Sequence, residues 1–249
     1  MAKIAICYWG MTRSTKFVYD SHYTNLFNVL QENNVEYNVF MHTWKTDDNT
    51  NIIWETITDI PIDYEEYKLL NPHYYEIDNQ DDFLETIYFD DYFNQELYDK
   101  YGGDTDYEWR PRLLINHLCA LESQKRCFKM VQKTNIAFDY VIFIRPDVEI
   151  SNKINMDWLK IQFDIIIPNY EFNEGVNDKF AIIPFNAAYH YANRIDELAE
   201  FRKNNGRIVS EKYVKFIVIK YYKCAHLIDF YMKIVRPKAG ITNNILLSA

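Results

Sequence analysis

Asp147 and Glu149 stand two residues apart, just past the β-favouring run Tyr140 to Arg145, with Pro146 ending the run. If the backbone stays extended there, the two carboxylates point to one side and could share a divalent cation. A strand that merely ends in a polar turn has the same composition. Near the start, Gly10, Arg13 and Ser14 follow the apolar run Lys3 to Tyr8. A strand, a glycine-containing turn and a helix in that order present backbone N–H groups to a phosphate or nucleotide; alternatively, Gly10 only permits a tight turn. His42 follows the run Val35 to Met41 with Thr43 and Trp44, either as a ligand-edge residue or as a residue that caps the strand. Asp178 lies in a polar turn just before the run Phe180 to Pro184. Facing the same cleft as Asp147, its carboxylate would take a proton from an attacking hydroxyl; the other reading is a turn cap.

The elements that must position these groups alternate strand and helix. Tyr140 to Arg145 is the pattern of a strand buried on both faces, and in open α/β sheets ligands bind beyond the carboxyl ends of such strands. A helix is expected from about Thr15 to Glu32, with Phe17, Phe27, Val29 and Leu30 on its apolar side and Asn33-Asn34 as its stop. The segment Pro111 to Thr134 has the clearest helical period, through Leu114, Leu118, Leu121, Phe128 and Val131. Ser123, Gln124 and Arg126 on or beside that surface have the types of ordinary exposed polar residues. Between Lys45 and Tyr107 the chain is acidic and hard to parse: a short strand at Tyr74 to Ile77, a helix from about Asp81 to Leu97, and a loop at Tyr101 to Asp104. Asp90 and Asp91 are adjacent on that helix and so diverge by about 100°, which makes a solvated face the expectation and not a metal pair. Further on come an apolar run from Phe163 to Ile167, a polar loop from Asn169 to Gly175, and a helix from Asn186 to Lys203 stopped at Asn204-Asn205-Gly206. A helix from Ser210 to about Tyr222, a strand from Asp229 to Val235 and a loosely held tail after Pro237 complete the reading.

With 249 residues, 48% of them hydrophobic, the chain can bury a sizeable core, and a single α/β domain is expected over residues 1–249. The net charge of -9 argues against a nucleic-acid partner, because binding a phosphate backbone rests on basic surface. It leaves open a phosphate-bearing ligand delivered with a cation. Cys7, Cys119, Cys127 and Cys224 form no C-x-x-C pair, so they are expected as buried thiols in a reducing, cytoplasmic compartment. No apolar run reaches the roughly 20 residues of a membrane span, and the amino terminus does not have the pattern of a signal peptide. The 21 Tyr and 16 Phe suit either a core or stacking against sugars and bases.

Taken in order, the strand with Gly10, Arg13 and Ser14, the strand ending in His42-Thr43-Trp44, the long helix, the run Phe138 to Asp147 and the segment Asn177-Asp178-Lys179-Phe180-Ala181 resemble nucleotide-sugar-dependent glycosyltransferases of the GT-A type. The likeness is greatest to small divergent enzymes of large DNA viruses and bacteria, for which the host cytoplasm would be the viral setting. The resemblance implies a Rossmann-like, mixed and mainly parallel sheet flanked by helices. It divides the chain into a nucleotide-binding half (1–110) and a metal and acceptor half (111–249). It further implies a nucleoside diphosphate sugar donor, UDP-linked, and a glycan hydroxyl as acceptor. Gly10, Arg13, Ser14, His42 and Arg145 would line the donor, with Arg13 bonding its phosphates. Mn²⁺ or Mg²⁺ would sit on Asp147 and Glu149, and Asp178 would be the catalytic base of an inverting transfer. The strict Asp-x-Asp of the family is replaced here by Arg145-Pro146-Asp147-Val148-Glu149. A glycan-binding module without catalysis and a sugar-phosphate nucleotidyltransferase are the rival readings; the second lacks a glycine-rich, lysine-containing phosphate loop.

Overall fold

The computed structural model describes residues 2–46, 62–100, 111–170, 175–236 and 246–247. Its strands are β1 (Lys3–Trp9), β2 (Glu36–Lys45), β3 (Tyr74–Asn79), β4 (Tyr140–Ile144), β5 (Val148–Ile150), β6 (Ile165–Pro168), β7 (Phe180–Pro184), β8 (Ala225–Ile228), β9 (Met232–Arg236) and β10 (Leu246–Leu247). The α-helices are α1 (Tyr19–His22), α2 (Asn28–Glu32), α3 (Gln80–Glu85), α4 (Gln95–Lys100), α5 (Pro111–Lys133), α6 (Ala188–Ala192), α7 (Leu198–Asn205) and α8 (Ser210–Tyr221). Seven strands form one sheet in the order β3-β2-β1-β4-β7-β6-β8, and β10, β9 and β5 form a small second one. Within the large sheet β7 runs antiparallel to both neighbours while the other pairings are parallel. This is the mainly parallel α/β sheet flanked by helices that the sequence led us to expect.

The period of β1 explains the layering. Ala5, Cys7 and Trp9 point to one face and join Leu114, Leu118, Leu121 and Phe128 of α5, while Ile4, Ile6 and Tyr8 point to the other and join Leu26, Phe27 and Leu30. A strand covered on both sides needs apolar residues at every position, and β1 and β4 supply them. The chain moves from β1 outward to β2 and β3, then returns to place β4 on the other side of β1. The carboxyl ends of β1 and β4 therefore lie at the switch point of the sheet, the place where α/β proteins bind ligands. Because β7 is antiparallel to β4, with Ile144 opposite Phe180, it is the entrance of β7 that meets the exit of β4.

Several expectations need correction. The helix expected from Thr15 to Glu32 is split: Thr15–Phe17 is a short 3-10 turn with Phe17 exposed, and a π-helical turn at Tyr23–Phe27 separates α1 from α2. Its start is drawn off the helix path because the Ser14 and Thr15 hydroxyls donate to the carbonyls of Val235 and Pro146. β2 extends past Met41 to Lys45, because β3 pairs with it from Phe40 onward. The helix expected from Asp81 to Leu97 is broken after α3, and α4 begins anew where the Asn94 side chain accepts from the Leu97 N–H. Asp90 and Asp91 are exposed. A break at Asn193 divides the helix expected from Asn186, and Gly206, at φ 79°, follows α7. The edge strand β8 was not foreseen, since it is exposed at two of its four positions and shows no buried run. The loop at Tyr101 to Asp104 lies outside the described residues, as do positions 171–174 and most of the tail after Pro237.

Candidate active site

Beyond β1 the chain turns at Gly10, whose φ of 95° lies in the left-handed region that side chains with a Cβ disfavour. The Gly10 N–H donates to Ser123 Oγ at 2.8 Å, tying the turn to the middle of α5. Ser123 also lies 2.8 Å from Nδ1 of His42, and the other ring nitrogen is 3.1 Å from an Asp78 oxygen. Burial holds the His42 imidazole down to about 4, so it is neutral at physiological pH. A neutral ring next to a carboxylate donates from Nε2 to Asp78, and the single Ser123 hydroxyl proton is shared between Nδ1 and the His42 carbonyl, 3.0 Å from Ser123 Oγ. Neither nitrogen is left for a ligand. His42 is thus a brace between β2 and α5, and Ser123, which has the type of an exposed residue, is fully buried. Gln124 beside it is also fully buried, and among the described residues neither its amide nor the Trp9 indole N–H has a hydrogen-bond partner. Orphaned polar groups of this kind are rare in folded proteins and often mark the place of bound water or ligand.

On the other side of the crevice Asp147 is 2% exposed. Arg145 grips it with Nε at 2.8 Å from Oδ1 and Nη2 at 2.6 Å from Oδ2, and Arg236 places Nη1 2.6 Å from Oδ2. Burial alone would raise this carboxyl; the charges of Arg145, Arg236 and Arg13 outweigh it and hold the group well below the usual carboxylate range. Arg145 also lies over the Trp9 ring, 5.6 Å from its centroid. The backbone fixes the arrangement. Val235 N–H donates to the Asp147 carbonyl at 2.9 Å, and Ser14 Oγ donates to Val235 O at 2.8 Å. Beneath, His22 Nε2 donates to Val148 O at 2.8 Å, so its Nδ1 accepts from the Tyr8 hydroxyl, also at 2.8 Å.

Asp178 arrives through the antiparallel pairing of β7, with Arg145 N–H on the Lys179 carbonyl at 3.3 Å. Its carboxylate accepts from the Ser210 hydroxyl at the start of α8. Burial pushes the group up, but Lys179, that hydroxyl, Arg145 and His117 together hold it below its ordinary value. Of the residues singled out by sequence, Arg13, Arg145, Asp147 and Asp178 therefore share one electrostatic neighbourhood, with Gly10 at its edge. Ser14 turns inward to β9, His42 braces α5, and Glu149 sits within β5 opposite Lys233. Arg236 was missed, although Val235-Arg236-Pro237 repeats the strand-ending pattern of Ile144-Arg145-Pro146. His117 and Ser210 were missed as well, and their spacing carries no signal.

A divalent cation does not fit these residues. Both Asp147 oxygens are engaged by guanidinium groups, which a metal ion would have to displace. Among the described residues no three His, Cys, Asp or Glu side chains converge in a way that could hold one. The four cysteines are free thiols, and no helix among the described residues is long and apolar enough to cross a membrane.

The buried histidines make a first prediction. His22 and His42 are held down to about 4, against an ordinary 6.5 in the unfolded chain. Between these values the unfolded chain binds protons that the folded one refuses, so stability is full above about 6.5 and falls as pH drops towards 4. The expected loss is about 1.4 kcal/mol per pH unit for each histidine, up to roughly 3 kcal/mol each. Urea unfolding at about pH 7.5 and about pH 4.5 measures it, and equal midpoints would show that the rings are not held neutral.

No family model matches the chain, and no curated protein matches it in sequence. Among solved structures it is similar to apo mouse xyloside xylosyltransferase 1, at 10% identity and a TM-score of 0.39, over 91% of this chain and 84% of that one. It is also similar to the glycosyltransferase GlyE of Streptococcus pneumoniae TIGR4, at 6% identity and a TM-score of 0.39, over 92% of this chain and 46% of that one. For the apo form of GlyE the figures are 8%, 0.38, 92% and 45%. The chain thus spans less than half the length of GlyE. At such scores the likeness decides nothing about chemistry, which rests on the side chains described above.

Proposed function

We propose that this chain is a glycosyltransferase that moves a sugar from a nucleoside diphosphate donor, UDP-linked, to a glycan hydroxyl. The observation that supports the reading is Arg145, which grips Asp147 on one side and lies in the field of the Asp178 carboxylate on the other, where the exit of β4 meets the entrance of β7. Glycosyl transfer needs both kinds of group at one place. Fixed positive charge stabilises the negative charge that develops on the leaving diphosphate, and a carboxylate receives the proton of the attacking hydroxyl. Holding donor and acceptor in line removes much of the entropic barrier.

The test is acceptor-dependent release of nucleoside diphosphate from a panel of donor sugars, paired with thermal melts. A donor at about 100 times its dissociation constant is expected to add about 2.7 kcal/mol of stability. Stabilisation by glycans with no effect of any nucleotide would overturn the proposal in favour of a binding module. Consumption of nucleoside triphosphate with release of pyrophosphate would overturn it in favour of a nucleotidyltransferase.

A further inference from the structure

Three arginines from distant parts of the chain are gathered around one buried carboxylate, and the gathering is built into the backbone. Arg13 follows β1, Arg145 follows β4 and Arg236 ends β9. Ser14 is bonded to Val235, Thr15 to Pro146, and Val235 to Asp147, so each arginine sits one or two residues from a hydrogen bond that joins its segment to another's. Asp147 takes the Nε and Nη2 edge of Arg145, which leaves the Nη1 end of the fork turned away from it. The indole of Trp9 lies under the same guanidinium. The chain carries a net charge of -9 overall, yet here guanidinium groups crowd together.

We infer that Arg13, Arg145 and Arg236, ordered by Asp147, form a diphosphate-binding site that neutralises the leaving group without a divalent cation. The identity of the ligand as the donor's diphosphate rests on the function proposed above. In the transfer, the bond from the anomeric carbon to the diphosphate oxygen breaks and its electron pair stays on that oxygen, facing the arginines. The acceptor oxygen bonds to the same carbon, and its proton passes to Asp178. Asp147 touches neither reactant; it is a positioning residue, holding two guanidinium groups in a fixed relation. Burial, and then the charges of Arg236, Arg145 and Arg112 working against the pull of Asp147, push the Arg13 guanidinium down to about 9. An arriving polyanion relieves that repulsion, and bidentate arginine contacts suit phosphate oxygens.

Inorganic pyrophosphate is the probe, because it carries the diphosphate without the sugar or base. Calorimetric titration of the full chain in EDTA is expected to show binding no weaker than with Mn²⁺ present, and weakening as salt rises. Arg236→Gln is expected to bind at least about tenfold more weakly, the loss of one charge-assisted contact. Arg13→Gln, on a loop, serves as the second variant, and circular dichroism melts establish that each is folded. Binding that appears only with Mn²⁺ would overturn the inference, as would wild-type affinity in both variants. The outcomes separate the two readings. Pyrophosphate binding in EDTA without sugar transfer from any donor would keep the anion site and remove the glycosyltransferase. Transfer abolished by EDTA would keep the enzyme and remove the metal-free site.

Discussion

Replacing Asp147 by alanine is expected to lower the free energy of unfolding by about 3–5 kcal/mol in metal-free buffer. The carboxylate is 2% exposed and accepts from both Arg145 and Arg236, so its removal leaves two partly buried guanidinium groups facing each other without their counter-charge. Breaking a buried pair costs more than the pair contributes, because the surviving charge keeps its desolvation penalty and loses its compensation. Against a total stability of about 5–15 kcal/mol for an ordinary domain, this is enough to bring the chain near its unfolding threshold at 37 °C. Urea unfolding checks it. A carboxylate present only to hold a metal ion would behave in the opposite way, since without metal its removal relieves repulsion and leaves stability the same or higher. A loss under about 1 kcal/mol would therefore sink the clamp.

The same reasoning gives the double variant an unusual order. Arg236→Met in the Asp147→Ala background removes one of the stranded charges, so the pair of changes is expected to be less damaging than Asp147→Ala alone. Residues in direct contact depart from additivity in this way, whereas independent sites do not.

The parts of the fold that sequence discloses are those decided locally. β4 and α5 were legible because a strand covered on both faces must be apolar throughout, and a helix lying on a sheet must repeat its apolar residues at helical spacing. Asp178 was legible as a residue at a strand entrance. That this entrance lies beside the exit of β4 follows only from the antiparallel direction of β7, which is a long-range pairing with no local signature. The guanidinium partners of Asp147 were not legible for a related reason. A carboxylate after a strand invites a cation, but sequence spacing does not say which one, and the guanidinium of Arg236, 89 positions away, reached it through the pairing of β5 with β9. Ser123 and Gln124 were obscured by their polarity. The face of α5 they occupy is buried against β1 and β2, and Ser123 is there to hold Gly10 and His42. Likewise the π-helical turn between α1 and α2 left no mark in a stretch with an ordinary helical pattern.

Asp178→Asn is expected to lower kcat about 10²–10⁴-fold, the range for removal of a general base, while leaving the affinity for nucleoside diphosphate close to that of the wild type. The separation follows from the two sides of the crevice. On the proposed reading the donor's charge would fall on the arginines around Asp147, whereas Asp178 is linked to them through the field of Arg145 and is bonded by Ser210. The amide keeps the shape and can still accept from the Ser210 hydroxyl, so the fold is not put at risk. Because Lys179, Ser210, Arg145 and His117 hold the carboxyl below its ordinary value, it is ionised throughout the neutral range. The acid limb of kcat is accordingly expected under the ordinary carboxylate range and not near neutrality. A lowered pKa weakens a base, so proton transfer that lags behind bond formation to the anomeric carbon is the expectation for such a carboxylate. Steady-state kinetics, nucleotide titration and the anomeric configuration of the product test the assignment together. An undiminished kcat in Asp178→Asn would remove the base, and retention of configuration would remove single displacement altogether.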